Sequence, residues 1–166
     1  MKALFTAAAV LALAAAPLAA EPSPERTPAQ KEVTAAADAF FTALGSTRKT
    51  DLAGVMIPEG VIFVHNRMNP DAPRLDIIPV SQHLARWATT QGRFWERMRY
   101  ETVLVDGDMA QVWGPYVFVA NGVPSHCGIN SLNLVKRDGA WKVANTSFTM
   151  EPVSECKRLG APVNGE

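Results

Sequence analysis

Residues 93–150 read RFWERMRYETVLVDGDMAQVWGPYVFVANGVPSHCGINSLNLVKRDGAWKVANTSFTM, and this stretch decides the fold. Three turn signals cut it into four apolar runs: Asp106-Gly107-Asp108, Asn121-Gly122 and Asp138-Gly139. Asn-Gly and Asp-Gly between β-rich runs mark hairpins, because both residues tolerate the positive φ that tight turns require. The spacing predicts WERMRYETVLV, MAQVWGPYVFVA, PSHCGINSLNLVKR and AWKVANTSFTM as four strands of an antiparallel meander. Long antiparallel sheets twist, and Gly114-Pro115 and Gly128 are natural places for a bend.

Toward the N-terminus, helical periodicity replaces the alternation. Thr27 suits an N-cap, with Pro28 at the first helical position and Gln30 completing a capping box. The helix QKEVTAAADAFFTALG follows, carrying Val33, Ala36, Ala37, Phe40, Phe41 and Leu44 at helical spacing and stopping at Gly45. A short second helix is expected over 50–56, a strand over 61–65 and an exposed loop over 66–74. A short strand over 75–78 and a third helix from Ser81 to near Gly92 complete this half. Helices followed by a long meander define an α+β class: a cone-shaped, curved antiparallel sheet wrapped around the N-terminal helices. Its open mouth is a ready pocket.

The 166 residues are 48% apolar, enough for one globular domain with a full core. Sixteen basic and sixteen acidic residues cancel, so no electrostatic footprint for nucleic acid is expected. Met1-Lys2 followed by ALFTAAAVLALAAAPLAA reads as a secretory signal peptide with cleavage after Ala20. The expected organisation is a leader over 1–20, a tether over 21–27, one domain over 28–151 and a tail over 152–166. A periplasmic or secreted protein is expected, without stable membrane insertion once the leader is removed. The two cysteines, Cys127 and Cys156, then meet an oxidising compartment. They either pair, tying the third meander strand to the tail, or remain as a buried Cys127 and a free tail thiol.

Polar residues inside apolar strands point to a pocket, since burying them unpaired costs about 1–3 kcal/mol each. His65, His126, Asn130, Asn145 and Ser147 are such residues. His126 and His65 are the candidate acid–base groups, because imidazole titrates near neutral pH. Trp87, Trp95, Trp113 and Tyr116 are candidates to stack on a flat apolar ligand, with His126, Asn130, Asn145 and Ser147 supplying polar contacts. Arg93, Arg97 and Arg99 share a side with Trp95 and form either a carboxylate grip or a solvated face. Alternation groups Trp141, Val143, Asn145, Ser147 and Thr149 on one side of the last strand. Which side of the sheet looks inward stays open, because both are mixed. The histidines lack HxH or HxxxH spacing, so no metal site is expected. Neither a GxSxG elbow nor a phosphate loop occurs, and no cofactor is expected.

The run GDMAQVWGPYVFVANGVPSHCGINSLNLVKRDGAWKVANTSFT resembles the second half of nuclear transport factor 2-like proteins. Within them it is most similar to the exported SnoaL-like and lumazine-binding-like groups. The resembling features are Gly107-Asp108 before an apolar strand, Trp113 with Pro115-Tyr116, Ser125-His126-Cys127-Gly128, and Asp138-Gly139 with Trp141-Lys142-Val143. Coverage runs from about Pro28 to Glu151. The resemblance implies a cystatin-like α+β barrel with a pocket between sheet and helices, and a homodimer formed through the outer face of the sheet. Ketosteroid isomerases of this fold use a Tyr and two Asp, for which this chain offers Phe40 and Phe41 and only turn aspartates, Asp106, Asp108 and Asp138. The expected function is binding of a small apolar or aromatic molecule. One alternative is a SnoaL-like isomerase, cyclase or dehydratase with a pocket histidine. A second is a non-catalytic dimerising module.

Overall fold

The computed structural model describes residues 25–163. The expected leader, most of the tether and the last three residues lie outside the described residues. Helix α1 spans Pro28–Gly45 and starts as expected. Thr27 Oγ1 accepts from Gln30 N at 3.2 Å, and Gln30 Oε1 accepts from Thr27 N at 2.9 Å. The Gln30 amide also donates to Val103 O, so the capping residue ties the helix to the sheet. Val33, Ala37, Phe40, Phe41 and Leu44 form the buried face. The second helix is a 3-10 turn over Lys49–Gly54 that sinks Leu52 into the core.

Strands β1 (Val61–Asn66) and β2 (Arg74–Pro79) form a hairpin. Helix α2 (Val80–Trp87) is shorter than its apolar pattern, because the Thr89 and Thr90 hydroxyls both turn back onto Arg86 O. The first expected meander run is two strands, β3 (Phe94–Met98) and β4 (Thr102–Asp106). They pair with opposite halves of β5 (Met109–Ala120). Between them the chain folds over Gly114, whose missing Cβ would lie 1.9 Å from Arg99 O. Only glycine allows that approach. Strands β6 (Val123–Arg137) and β7 (Ala140–Met150) complete the antiparallel run, and the sheet order is β2-β1-β7-β6-β5-β3. The sheet is mixed, since β1 lies parallel to β7. Bulges at Phe118/Val119 and Asn133/Leu134 break the register and bend the long strands.

The second bulge corrects the expected face assignment of β7. Asn133 pairs with Asn145 but Leu134 pairs with Val143, so Ala144 is the extra residue and alternation flips there. Trp141 and Val143 face the helices before the bulge; Thr146, Phe148 and Met150 face the cavity after it. Asn145, Ser147 and Thr149 are thereby turned out. The inward face, open in the sequence, is the one carrying Val112, Tyr116, Leu132 and Leu134.

A second, smaller core sits on the outer face. Val117, Val119 and Cys127 are covered by Cys156 and Ala161, where the tail folds back as helix α3 (Cys156–Leu159). Cys127 and Cys156 are disulfide-bonded, 29 residues apart, with Cα atoms 5.5 Å apart. Closing a loop of this length stabilises by about 3 kcal/mol through the unfolded state. Cys127→Ala combined with Cys156→Ala is expected to lower urea-unfolding stability by that amount. A loss below ~1 kcal/mol would show that the tail holds by packing alone.

Candidate functional site

Between α1, α2 and the inner face of the sheet lies a cavity of about 380 Å³. Larger hollows elsewhere, such as the groove along α1 and the one beside Arg99 and Tyr100, are open surface features with few converging side chains. Phe40 and Leu44 of α1, Ile62 and Val64 of β1, Ile78 of β2 and Met150 of β7 supply an apolar wall. The other wall is aromatic. His83 stacks on Trp87 at 5.7 Å between centroids, Trp87 meets Phe94 at 5.1 Å, and Phe94 stacks on Phe118 at 5.8 Å. Phe118 then stacks on His126 at 5.0 Å. Tyr116 stands behind this row, edge-on to both His126 and Phe148, and its hydroxyl donates to Thr149 O.

Apart from Asp76 at the rim, one acid among the described residues enters this apolar space. Alternation along β3 turns Phe94, Glu96 and Met98 inward, while Arg93, Trp95, Arg97 and Arg99 point away. Glu96 lines the cavity. Its Oε1 accepts from Asn130 Nδ2 at 3.0 Å. Burial pushes the carboxyl up to about 8, and the Asn130 hydrogen bond only partly opposes that shift. Asn130 is 4% exposed, and its Oδ1 has no partner among the described residues. Trp87 Nε1 is likewise buried without a partner among the described residues. At the rim Arg74 Nε holds both carboxylate oxygens of Asp76, at 3.2 and 3.1 Å.

His126 lines the cavity, with Nδ1 3.2 Å from Ser125 Oγ. Burial pulls its pKa down to about 4. It is therefore neutral near pH 7 and can accept a proton only weakly. His83 is pulled down as well, by burial first and then by the Arg86 charge.

The structure thus brings together Trp87, His126 and Asn130 of the residues singled out in the sequence, with Tyr116 directly behind them. The others stand elsewhere. Trp95 and Trp113 are on the outer face, 39% and 45% exposed, and Arg97 stacks over the Trp95 ring. His65 Nε2 lies 3.2 Å from Ser147 Oγ, on strands turned outward at that point. Asn145 Oδ1 accepts from Val61 N, fixing the head of β1 beside the β7 bulge. The basic row belongs to the outer surface, where Arg99 pairs with Glu101. Sequence alone does not single out Glu96, because an acid among three arginines, Arg93, Arg97 and Arg99, reads as a solvated charge. Its one signal is that it shares parity with Phe94 and Met98.

No protein-family profile matches the chain, and no curated protein matches it. Solved structures do. A protein from Xanthomonas campestris, provisionally assigned as a calcium/calmodulin dependent protein kinase II association domain, is 25% identical. That match has a TM-score of 0.58 and covers 81% of this chain and 94% of the other. An NTF2-like protein of unknown function from Shewanella baltica is 13% identical, with a TM-score of 0.55 over 77% of this chain and 99% of the other. A ketosteroid isomerase-like protein from Erwinia carotovora is 16% identical, with a TM-score of 0.55 over 75% and 98%. The fold of this chain is that of the nuclear transport factor 2-like superfamily, an α+β cone with a curved sheet that does not close.

Proposed function

We propose that this chain is an exported protein that binds a small, partly apolar or aromatic molecule in the cone between sheet and helices. The observation that carries this reading is Asn130 Oδ1, a buried acceptor left unpartnered beside the Glu96 carboxyl in an aromatic-walled space. An unmet acceptor costs about 1–3 kcal/mol, and a ligand donor recovers it. The volume falls within the usual span of ligand pockets, roughly 300–1,000 Å³. Periplasmic or secreted residence is favoured by the leader-like first twenty residues and by the Cys127–Cys156 bond. The balanced charge favours neither nucleic acid nor an anionic membrane surface as partner.

A second reading, an isomerase, cyclase or dehydratase, is favoured by one observation. A carboxyl titrating near 8 is well matched to general acid–base work at neutral pH. In that case Glu96, rather than His126 or His65, moves the proton. A homodimer is proposed through the outer sheet face, where Ile77, Leu104, Met109 and Trp113 are exposed. Native mass spectrometry of protein exported into the periplasm reads ligand and assembly together. The expected spectrum is a dimer carrying a displaceable small-molecule mass on each chain. A bare monomer that gains no mass from an aromatic compound library would contradict both the ligand and the dimer.

A further inference from the structure

The cavity's polar groups are unequal in kind, and that inequality selects a ligand. Its two converging groups, Glu96 and Asn130, share one N–H···O bond, which leaves Asn130 Oδ1 as an acceptor and the second Glu96 oxygen as the seat of the acid's proton, an acceptor only once that proton is lost. Among the described residues the formal charges lining the space are Glu96, Asp76 and Arg74, and the last two are paired at the rim. Lys49 approaches the Trp87 and Phe94 rings, 5.4 and 4.9 Å from their centroids, but does not line the cavity. His83 and His126 are both held toward their neutral forms by burial. Tyr100 and Asp38 bind each other from the β3–β4 loop and α1, and Tyr116 is committed to Thr149 O. The unpaired donor Trp87 Nε1 belongs to an uncharged indole and is no counter-ion.

We infer that the cavity takes an organic ammonium ion on an aromatic or apolar body, with its N–H groups shared between Glu96 and Asn130 Oδ1. This rests on the small-molecule reading above and names the ligand's class. An anionic ligand meets no unpaired cation in the lining and leaves the Asn130 Oδ1 acceptor unmet. A neutral apolar ligand leaves Asn130 Oδ1 unmet. An ammonium supplies several donors at once, pairs with the carboxylate it creates, and lies against ring faces that attract cations. Glu96 enters the complex as a carboxylate, its proton leaves to solvent, and the ligand keeps its own. Since the free carboxyl holds its proton up to about pH 8, affinity falls as pH drops below that value, by about tenfold per unit.

The test is calorimetric titration of the exported chain with matched probes on phenyl and naphthyl bodies: 2-arylethylamine, 2-arylethanol and arylacetate. We expect the amine to bind at least ~10-fold tighter than the alcohol at pH 8, the acetate to bind weakest, and about one proton to be released per amine bound near pH 7. Glu96→Gln should bring the amine down to the alcohol's affinity, remove the pH dependence and leave the alcohol within about threefold. Alcohol binding as tightly as amine, or an amine preference that survives Glu96→Gln, would overturn the ammonium assignment while the cavity reading stands. Failure of every probe on both bodies would overturn both.

Discussion

Gly128→Ala is expected to remove at least ~4 kcal/mol of stability, the scale reserved for direct structural conflict. A Cβ built on Gly128 lies 1.9 Å from Thr149 O and 2.6 Å from Thr149 Oγ1. Both atoms are already engaged: Thr149 O accepts from the Tyr116 hydroxyl at 2.8 Å, and Thr149 Oγ1 accepts from Ile129 N at 3.0 Å. One methyl therefore pushes apart the ends of β6 and β7 and displaces Tyr116, which stands behind His126 and Phe148 in the cavity wall. Gly54→Ala is the control, since nothing lies within 4 Å of the added carbon. Its effect should stay within ~0.5 kcal/mol. Urea unfolding of the two variants checks the pair. Equal, small losses would mean that β6 and β7 are not in the register described.

Glu96→Gln should act in the opposite direction and only above acidic pH. The free carboxyl value, 4.5, rises to about 8 in the folded chain. Between those values the folded state holds a proton that the unfolded state has released, so stability falls as pH rises. It is complete below about 4.5 and lost through about 8. The slope is about 1.4 kcal/mol per pH unit, and relaxation around the cavity keeps the total below its ceiling of ~5 kcal/mol. Glutamine preserves the acceptor for Asn130 Nδ2 and carries no charge. The variant should match the parent near pH 4 and exceed it by roughly 3–4 kcal/mol at pH 9. Parallel stability curves for parent and variant would show that Glu96 ionises freely.

The turns were legible because their chemistry is local. Asn121-Gly122 and Asp138-Gly139 adopt the positive φ their sequences signal, 53° and 84° in the first and 53° and 77° in the second. The capping box at Thr27 and the apolar stripe of α1 are local in the same sense. What sequence parity could not show depends on events in the middle of strands. A single extra residue, Ala144, reverses the facing of everything after it in β7, moving Ser147 out and Phe148 in. The step over Gly114 splits one apolar run into β3 and β4. Trp95 and Trp113 combine large rings with outward parity, and nothing local reveals that parity until the inward face is known. Glu96 is the mirror case, a charged residue whose backbone position overrules its preference for water. Such a residue is found by asking which acid shares a face with Phe94 and Met98, a question that needs β3 placed first.

Glu96 is a neutral carboxylic acid inside the cone at physiological pH, and the ligand preference and the pH dependence both follow from that state. Carbon-13 NMR of the Glu96 side-chain carboxyl, followed from pH 3 to pH 10 and assigned by its loss in Glu96→Gln, measures this directly. The expected midpoint is at about 8, with the Asn130 side-chain amide resonances moving in step. A midpoint at the ordinary glutamate value near 4.5, with Asn130 unmoved, would contradict it.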